Sequence, residues 1–305
     1  MNALTVLIKR EYWEHKGAIF YTPAIMAAVF AALMLLGSFS ADEFVVTHNN
    51  EYTFSDHLPK LVDKFEELSE REQKQGVQVG LYGTIVLFGG VMLLISIFYC
   101  LGCLYDERKD RSILFWKSMP VSDTKTVLSK FATVCLLVPV SYFVVITVFQ
   151  LYLLLFSTVL AWVGGSWGTL IWTSSNLFGV MFHGLMALIM GMLWLAPIWA
   201  WLIFASSWAK KVAFMWGALP IIMVTIAEGW IFKTSNFIEM IAMRVASAFT
   251  IINSNLNSVT HNEIFDIEVM RWYEVFSNSE FWVGLVVAAV FLAGAIYTRS
   301  IRNEV

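Results

Sequence analysis

Between two long apolar runs, the chain reads Tyr105-Asp-Glu-Arg-Lys-Asp-Arg-Ser-Ile-Leu-Phe-Trp-Lys-Ser-Met-Pro-Val-Ser-Asp-Thr-Lys125. Six basic residues fall between Arg108 and Lys130, and four acidic residues accompany them. Because a bare charge in the hydrocarbon of a bilayer costs several kcal/mol, this segment cannot lie in lipid. It predicts a solvent-facing turn between two membrane-spanning helices.

The composition indicates a membrane protein. Of 305 residues, 58% are apolar and 14% are charged, whereas a soluble domain carries about 25% charged residues. The three cysteines, Cys100, Cys103 and Cys135, lie in apolar surroundings and predict no disulfide framework. Cys100 and Cys103 form a C-x-x-C pair without a second pair or a nearby histidine, so we interpret them as structural residues rather than as redox or metal ligands.

Six apolar runs are long enough to cross a bilayer, which takes about 20 residues of helix. They predict an all-α polytopic membrane protein in which the whole chain, 1–305, forms one transmembrane domain. Pro139, Pro197 and Pro220 lie inside three of the runs and can kink them. The runs are about 17–38, 79–104, 127–160, 177–206, 212–232 and 281–298.

The distribution of basic residues predicts the orientation. With six crossings, both termini share a side with the charged turn at 105–126, and that side would hold thirteen basic residues. The opposite side would hold seven, spread over two longer segments, 39–78 and 233–280. Because basic residues concentrate in short cytoplasmic loops, we predict a cell-membrane protein with both termini in the cytoplasm.

Residues 3–15 predict an amphipathic helix at the membrane interface, and a frayed polar N-terminus is the alternative. Apolar residues recur at helical spacing, and charged residues take the other faces. The apolar stripe is Leu4, Leu7, Ile8 and Tyr12, and the charged residues are Lys9, Arg10, Glu11 and Glu14.

The two external segments differ in pattern. The first, 39–78, is acidic, and its second half predicts a surface helix that Gly76 can end. The second, 233–280, contains a helical apolar face, but Glu239 and Arg244 oppose an easy crossing. We therefore expect it to lie along the membrane surface or to dip in partway. A full crossing there would move the C-terminus to the other side.

No motif for nucleotide hydrolysis, nucleophilic catalysis or zinc binding occurs in the sequence, so we predict a chain without catalytic residues of its own. Ion coupling would need ionisable side chains inside the spans, and the candidates are Glu228 and His183. The alternative for Glu228 is an end-of-helix acid that reaches the interface, and for His183 a structural hydrogen bond. The apolar, Met-rich spans weakly favour a hydrophobic or amphipathic cargo.

The charged turn is the strongest candidate for a binding surface. Four consecutive large apolar residues, Ile113 to Trp116, would be exposed to water in a plain loop, which is unfavourable. We predict that they fill a groove on a partner, with Arg108, Lys109 and Arg111 paired to acids around it. The alternative is a solvated loop that contacts only lipid headgroups.

Two motifs point to a known family. The segment from Asp106 to Lys125, with Lys130, contains an acidic–basic stretch, an apolar patch, a Pro-Val-Ser turn and a downstream lysine. A second set joins two predicted spans through a short basic turn: Leu195-Ala-Pro-Ile-Trp199, Ser207-Trp-Ala-Lys-Lys211, Leu219-Pro220 and Glu228. With these motifs, the N-terminal helix and six spans, nearly the whole chain resembles the ABC-2-type permeases, which are membrane subunits of ABC transporters.

The resemblance implies an exporter in which this chain, with a second copy or a homologue, forms the translocation pathway. Two cytosolic ATPase subunits would bind ATP and Mg, and each would grip a cytoplasmic coupling helix at about 107–118. This chain would bind no cofactor and no nucleic acid. Two other classes stay open, namely an ion-coupled secondary transporter and a non-transporting scaffold or sensor driven by an ATPase. The implied coupling residues are Glu107, Arg108, Lys109, Asp110, Arg111, Ile113, Leu114, Phe115 and Trp116.

Overall fold

The computed structural model describes residues 3–44, 54–118, 121–166, 168–260 and 271–301. These residues form helices and no strand, which confirms the all-α prediction. The first seven α-helices are α1 Ala3–Glu14, α2 Thr22–Phe44, α3 Phe54–Glu67, α4 Glu70–Gly102, α5 Tyr105–Lys109, α6 Ser112–Ser118 and α7 Asp123–Ala132. The others are α8 Val138–Val163, α9 Thr169–Ser175, α10 Leu177–Trp194, α11 Ala196–Trp208, α12 Ala213–Ile231, α13 Asn236–Thr260 and α14 Ser279–Ile301.

Seven helical segments within the described ranges are long and apolar enough to cross a membrane, which identifies a multi-pass membrane protein by length and composition. Six of them overlap the six predicted runs. The seventh, Asn236–Ser254, lies in the segment 233–280, which the sequence predicts to be external. The seven segments are Gly17–Ser38, Glu70–Lys109, Asp123–Val163, Thr169–Trp194, Ala213–Ile231, Asn236–Ser254 and Ser279–Ile301.

The core lies between α4, α8, α10 and α11, and α14 packs along α11. Large side chains fill it, and small residues let the helices approach: a Cβ on Gly184 of α10 would come within 2.5 Å of Ile85 on α4. In contrast, α12 stands at the edge of the bundle, and only its first turns, at Ala213 and Gly217, are buried. The largest buried core side chains include Phe88, Tyr142, Trp194 and Trp199.

The fourth predicted run is two helices, because the chain bends at Leu195 between α10 and α11. Pro197 has no N–H group to donate to the preceding turn, so the helix cannot continue undisturbed. Side chains from elsewhere satisfy carbonyls of the bend. The indole of Trp199 donates to the Met192 carbonyl at 3.0 Å, and Arg244 of α13 donates from Nε to the Trp194 carbonyl at 3.0 Å.

The helix predicted in the second half of the segment 39–78 ends earlier than the sequence predicts. Its last residue is Glu67, and Gly76 lies inside α4. The reason is a capping box, in which the Ser69 side chain accepts from the Glu72 backbone N–H while the Glu72 carboxylate accepts from the Ser69 backbone N–H. This pair starts a new helix, and Gln73 then donates to the Phe65 carbonyl at 3.0 Å, which ties the end of α3 to the start of α4.

Candidate functional site

The charged turn folds into three short helical pieces, α5, α6 and the start of α7. Its first bend, between α4 and α5, is held by Ser206 of α11. The Ser206 hydroxyl accepts from the backbone N–H groups of Leu104 at 3.1 Å and Tyr105 at 2.9 Å, and it donates to the Leu101 carbonyl at 2.7 Å. The bend is therefore fixed by tertiary contact and not left to solvent.

The structure divides the nine predicted coupling residues into two groups. Glu107, Arg108 and Ile113 are buried within the chain, so these three do not face a partner as placed. Arg108 donates to the carbonyls of Ser206 at 2.6 Å and Ala209 at 2.9 Å, and thereby braces α5 against α11. Trp116 is half-buried, and the exposed members are Lys109, Asp110, Arg111, Leu114 and Phe115.

Glu107 is the centre of a buried charge cluster. Its Oε1 atom accepts from Arg10 Nη2 at 2.7 Å and lies 3.0 Å from Lys130 Nζ, while its Oε2 atom accepts from Arg299 Nη1 at 2.6 Å. These cations come from α1, α7 and α14, so one carboxylate joins four separate parts of the chain. We call Arg10, Glu11, Glu107, Asp123, Lys130 and Arg299 the charge cluster.

Glu11 corrects the simple amphipathic interpretation of the N-terminal helix. The sequence predicts Glu11 on a polar face, but its side chain is fully buried. Oε1 of Glu11 accepts from Lys130 Nζ at 2.9 Å, and Oε2 accepts from the Tyr99 hydroxyl at 2.9 Å. A buried carboxylate is tolerated only where such partners replace water. The helix α1 therefore docks on α4 and α7 through a polar contact.

Arg299 closes the charged turn. It donates from Nη1 to Glu107 near the start of the turn and from Nε to Asp123 Oδ1, at 2.9 Å, near its end. The Ser122 hydroxyl caps α7 beside this contact, accepting from the Lys125 backbone N–H at 3.4 Å. One guanidinium thus holds both ends of the turn, and α6 projects from a fixed base.

The outer surface of α6 carries a small apolar patch. Leu114 is 53% exposed and Phe115 is 57% exposed. The Trp116 ring packs edge to face against Phe115, with ring centroids 5.0 Å apart. On Trp116 in turn, the Arg10 guanidinium carbon lies 3.7 Å from the ring centroid. The patch is therefore held in place by the charge cluster.

Arg10 of the charge cluster and the neighbouring His15 have shifted pKa values. Burial by itself lowers the pKa of Arg10, but hydrogen bonds to Glu14 and Glu107 outweigh it and raise that pKa above its ordinary value. Burial lowers the pKa of His15, and the attraction of Glu11, whose Oε2 lies 4.0 Å from His15 Nε2, only partly opposes this. Arg10 is therefore always charged, whereas His15 favours the neutral form.

A metal centre is not indicated by these side chains. Ligand atoms of Glu11, Glu14 and His15 lie within 4.8 Å of one another. However, Lys130 and Tyr99 already occupy the two oxygens of Glu11, so this carboxylate serves as an acceptor within the fold. The buried cysteines Cys100, Cys103 and Cys135 are free thiols.

Glu228 and His183 lie outside the charge cluster and are hydrogen-bonded locally. The Glu228 carboxylate accepts from the Phe237 backbone N–H at 2.9 Å and from the Thr234 hydroxyl at 2.8 Å, so it caps the start of α13. The Nδ1 atom of His183 accepts from the Trp272 indole at 3.1 Å. The His183 contact is the structural hydrogen bond that the sequence left open as an alternative, whereas the role of Glu228 as a cap of α13 is neither of the two alternatives.

The sequence pattern did not identify Glu11 or Arg299 as site residues. Glu11 follows Leu7 by four positions and therefore lies on the same face of α1. This spacing is the feature of the sequence that could have predicted that Glu11 is buried. Arg299 was counted only among the basic residues of the cytoplasmic side. No local sequence pattern predicts the ion pairs of Arg299, because Glu107 and Asp123 lie far away in the sequence.

Comparisons of this chain with protein-family models, with curated proteins and with solved structures find no match. The function is therefore inferred from the residues and from the geometry of the charge cluster and α6.

Proposed function

We propose that this chain is the membrane permease subunit of an ATP-driven exporter of the ABC-2 type, and that α6 couples it to a separate cytosolic ATPase. The observation that carries the proposal is the exposed pair Leu114 and Phe115 on α6, which lies in a turn whose two ends are both bound by Arg299. In this role the chain has no catalytic residue, and ATP and Mg belong to the partner. A second copy or a homologue completes the pathway.

The charge cluster gives α6 a mechanical connection to the bundle. A displacement of α6 would reach α4 through α5 and α8 through α7, and it would reach α14 because Arg299 binds Glu107 of α5 and Asp123 of α7. Separating one partner of a buried ion pair leaves an unpaired buried charge, which is costly. The helices that the charge cluster joins are therefore expected to move together. This property suits a helix that transmits the closure of an ATPase dimer to membrane helices, and the cargo we favour is a hydrophobic or amphipathic molecule or peptide.

The same cluster supports six crossings instead of seven. Arg10 precedes the first candidate span and Arg299 ends the last, yet both bind Glu107, so the two ends lie on one side of the bundle. An even number of crossings follows. We assign the incomplete crossing to α13, because it carries Glu239 and Arg244 and follows α12 after a short turn. The excess of basic residues on the shared side supports a cytoplasmic location for it.

Cysteine labelling tests this orientation. A cysteine at Ser69, at the start of α4, should react with a membrane-impermeant thiol reagent added outside, whereas a cysteine at Ser118 should react only after the membrane is opened. The three native cysteines are buried and give little background. The reverse labelling pattern would invert the proposed orientation.

Coupling is tested by replacing Leu114 and Phe115 with alanine. Burying each side chain in a partner groove contributes about 1.5–3 kcal/mol, so losing both should weaken binding of the proposed partner ATPase subunit at least 100-fold. The matched control is Phe98→Ala, which removes an exposed phenylalanine from α4. The measurements are co-purification and ATP hydrolysis by the reconstituted complex.

Three outcomes decide the matter. Loss of co-purification in the double variant and not in Phe98→Ala supports the proposal. Equal co-purification and equal ATP hydrolysis in all proteins would contradict it, as would full activity without any nucleotide-binding partner. Stimulation of ATP hydrolysis by cargo separates an exporter from a non-transporting scaffold that uses the same contact.

A further inference from the structure

A cavity of about 590 Å³ lies at the end of the bundle opposite the charge cluster. It is partly open and is lined by α3, the first part of α4, the last part of α8 and the segment around α9, whereas the charge cluster lies at the far end of α4 and ahead of α8. The volume falls in the range of about 300–1,000 Å³ that is typical of small-molecule sites. Its lining includes Val62, Phe65, Gly80, Leu154 and Ile171.

The cavity exists because glycines replace larger residues on one face of α4. Gly76 and Gly80 are one helical turn apart, both line the cavity, and a Cβ added to either would meet no atom within 4 Å. Opposite them, α3 covers the space with Val62 and Phe65, and Gln73 holds the end of α3 by donating to the Phe65 carbonyl. The side of α4 that borders the cavity is therefore open at two successive turns.

The polar groups in the wall are already paired with each other. The Ser166 hydroxyl donates to the Glu66 carboxylate, and the Ser157 hydroxyl donates to the Leu153 carbonyl. The other lining side chains are apolar, so the wall favours contact with hydrocarbon and offers little to a strongly polar ligand. Dry apolar cavities of proteins accept apolar guests for this reason.

The outside of the bundle next to the cavity is also apolar. The exposed residues of α8 include Leu155, Val159, Trp162 and Val163. The helix α8 belongs to a segment that is long and apolar enough to cross a membrane. The medium that such a surface contacts is the hydrocarbon of a bilayer. The molecules available to enter the cavity from that side are membrane amphiphiles.

We propose that this cavity is a binding site for the hydrocarbon chain of a membrane amphiphile, seated along Gly76 and Gly80 of α4 and covered by α3. The chain lies against the apolar wall, and the head group stays at the rim near Glu66 and Ser166. The site does not depend on an ATPase partner, so it is tested separately from the proposed coupling function. The hydrocarbon chain can come from a bilayer phospholipid or from a free fatty acid.

The test uses the intact protein in lipid nanodiscs and two photoreactive probes, a phosphatidylcholine and a free fatty acid, each with a diazirine in the middle of its alkyl chain. After illumination, mass spectrometry locates the cross-linked peptides. We expect labelling within 76–81 of α4 and 153–161 of α8. Gly80→Leu, which fills the cavity, should reduce this labelling at least fivefold. Gly83→Leu is the matched control, because Gly83 lies on the same helix, also has open space around its Cβ and does not line the cavity.

Labelling of these peptides by either probe, reduced in Gly80→Leu and kept in Gly83→Leu, supports the site. The probe that labels identifies the source of the hydrocarbon chain. Labelling that is absent from these peptides, or that is equal in the two variants, overturns the proposal. Gly76→Leu is a second cavity-filling variant, and a single symmetric gel-filtration peak with an unchanged or raised melting temperature shows that each variant is folded.

Discussion

The Nζ atom of Lys130 lies 2.9 Å from Oε1 of Glu11, and both side chains are only 1% exposed. The pair joins α1 to α7 inside the charge cluster, where water cannot compensate for a missing partner. Breaking one side of such a pair costs more than the pair contributes, because it leaves an unpaired buried charge. The cluster is therefore a place where single substitutions have large effects.

We expect Lys130→Met to lower the free energy of unfolding by about 3–5 kcal/mol. Adding Glu11→Gln to Lys130→Met should recover part of this loss, since the unpaired carboxylate is then neutral. Thermal unfolding of the detergent-purified variants measures both changes. Lys74→Met is the matched control, because Lys74 pairs with Glu70 on the surface of α4 at 3.8 Å, and its loss should leave stability nearly unchanged. Equal losses of stability in the Lys130 and Lys74 variants would show that the buried pair contributes no more than the surface pair.

Replacing Arg299 with glutamine should loosen the charged turn. The change removes two charge-assisted hydrogen bonds, to Glu107 and Asp123, each worth about 1.5–3 kcal/mol. Local opening of the turn should therefore become at least tenfold more frequent, and trypsin should cleave after Lys109 and Arg111 correspondingly faster. Arg271→Gln, far from the cluster, should leave the cleavage rate as it is. A turn that is cleaved at the same rate in both variants would refute the role of Arg299 as its closing contact.

Stability should fall as the pH drops below about 6.5, the ordinary pKa of histidine, and His15 should account for part of the fall. Its pKa is lowered in the folded chain by burial, with Lys130 acting in the same direction and Glu11, Glu14 and Asp106 acting against it. The unfolded chain therefore binds a proton at a higher pH than the folded chain does, and acid favours unfolding. Melting temperatures between pH 7.5 and 5.5 should fall less steeply for His15→Gln than for the unmodified protein; identical slopes would exclude the effect.

Gly284 of α14 leaves room for Arg244, and alanine there should be destabilising. A Cβ on Gly284 would lie 1.9 Å from Arg244 Nη2, and the guanidinium is fixed by hydrogen bonds to the carbonyls of Trp194 and Glu280. Displacing it should cost about 1–3 kcal/mol of stability. Gly90→Ala on α4, where a Cβ meets nothing within 4 Å, should instead be neutral or stabilising. In an Arg244→Ala background the Gly284 change should cost little, and a full additional loss there would show that the clash is not with Arg244.

Much of the fold was predictable because long apolar runs leave few alternatives to helices. The start of α4 was also available from the sequence, since Ser69-Glu-Arg-Glu72 is a capping-box pattern. The sequence predicts a helical apolar face in this segment, but not a seventh helix that is long and apolar enough to cross a membrane, because Glu239 and Arg244 oppose a crossing. Tertiary contacts resolve that conflict: Arg244 binds carbonyls of the Pro197 bend and of α14, which the sequence of α13 alone does not contain.

The charge cluster is only partly predictable from local sequence patterns. Charge and apolar spacing predict that the turn is special, and the exposed pair Leu114 and Phe115 lies where the sequence placed the apolar patch. The pattern does not tell which charged residues face inward. Glu107 and Lys109 are separated by two positions in one short helix, yet the first is buried and the second is exposed. Their difference is set by Arg10, Lys130 and Arg299, which arrive from distant parts of the chain.

The position of Arg299 has a consequence for how the protein is made. Translation reaches α14 after every other described helix, so the ribosome has synthesised both ends of the charged turn long before their shared guanidinium exists. Until α14 is inserted, Asp123 lacks this contact and Glu107 has only Arg10 and Lys130. An unfinished chain therefore lacks the contact that joins the two ends of the charged turn, and the turn reaches its final form only after α14 has been made.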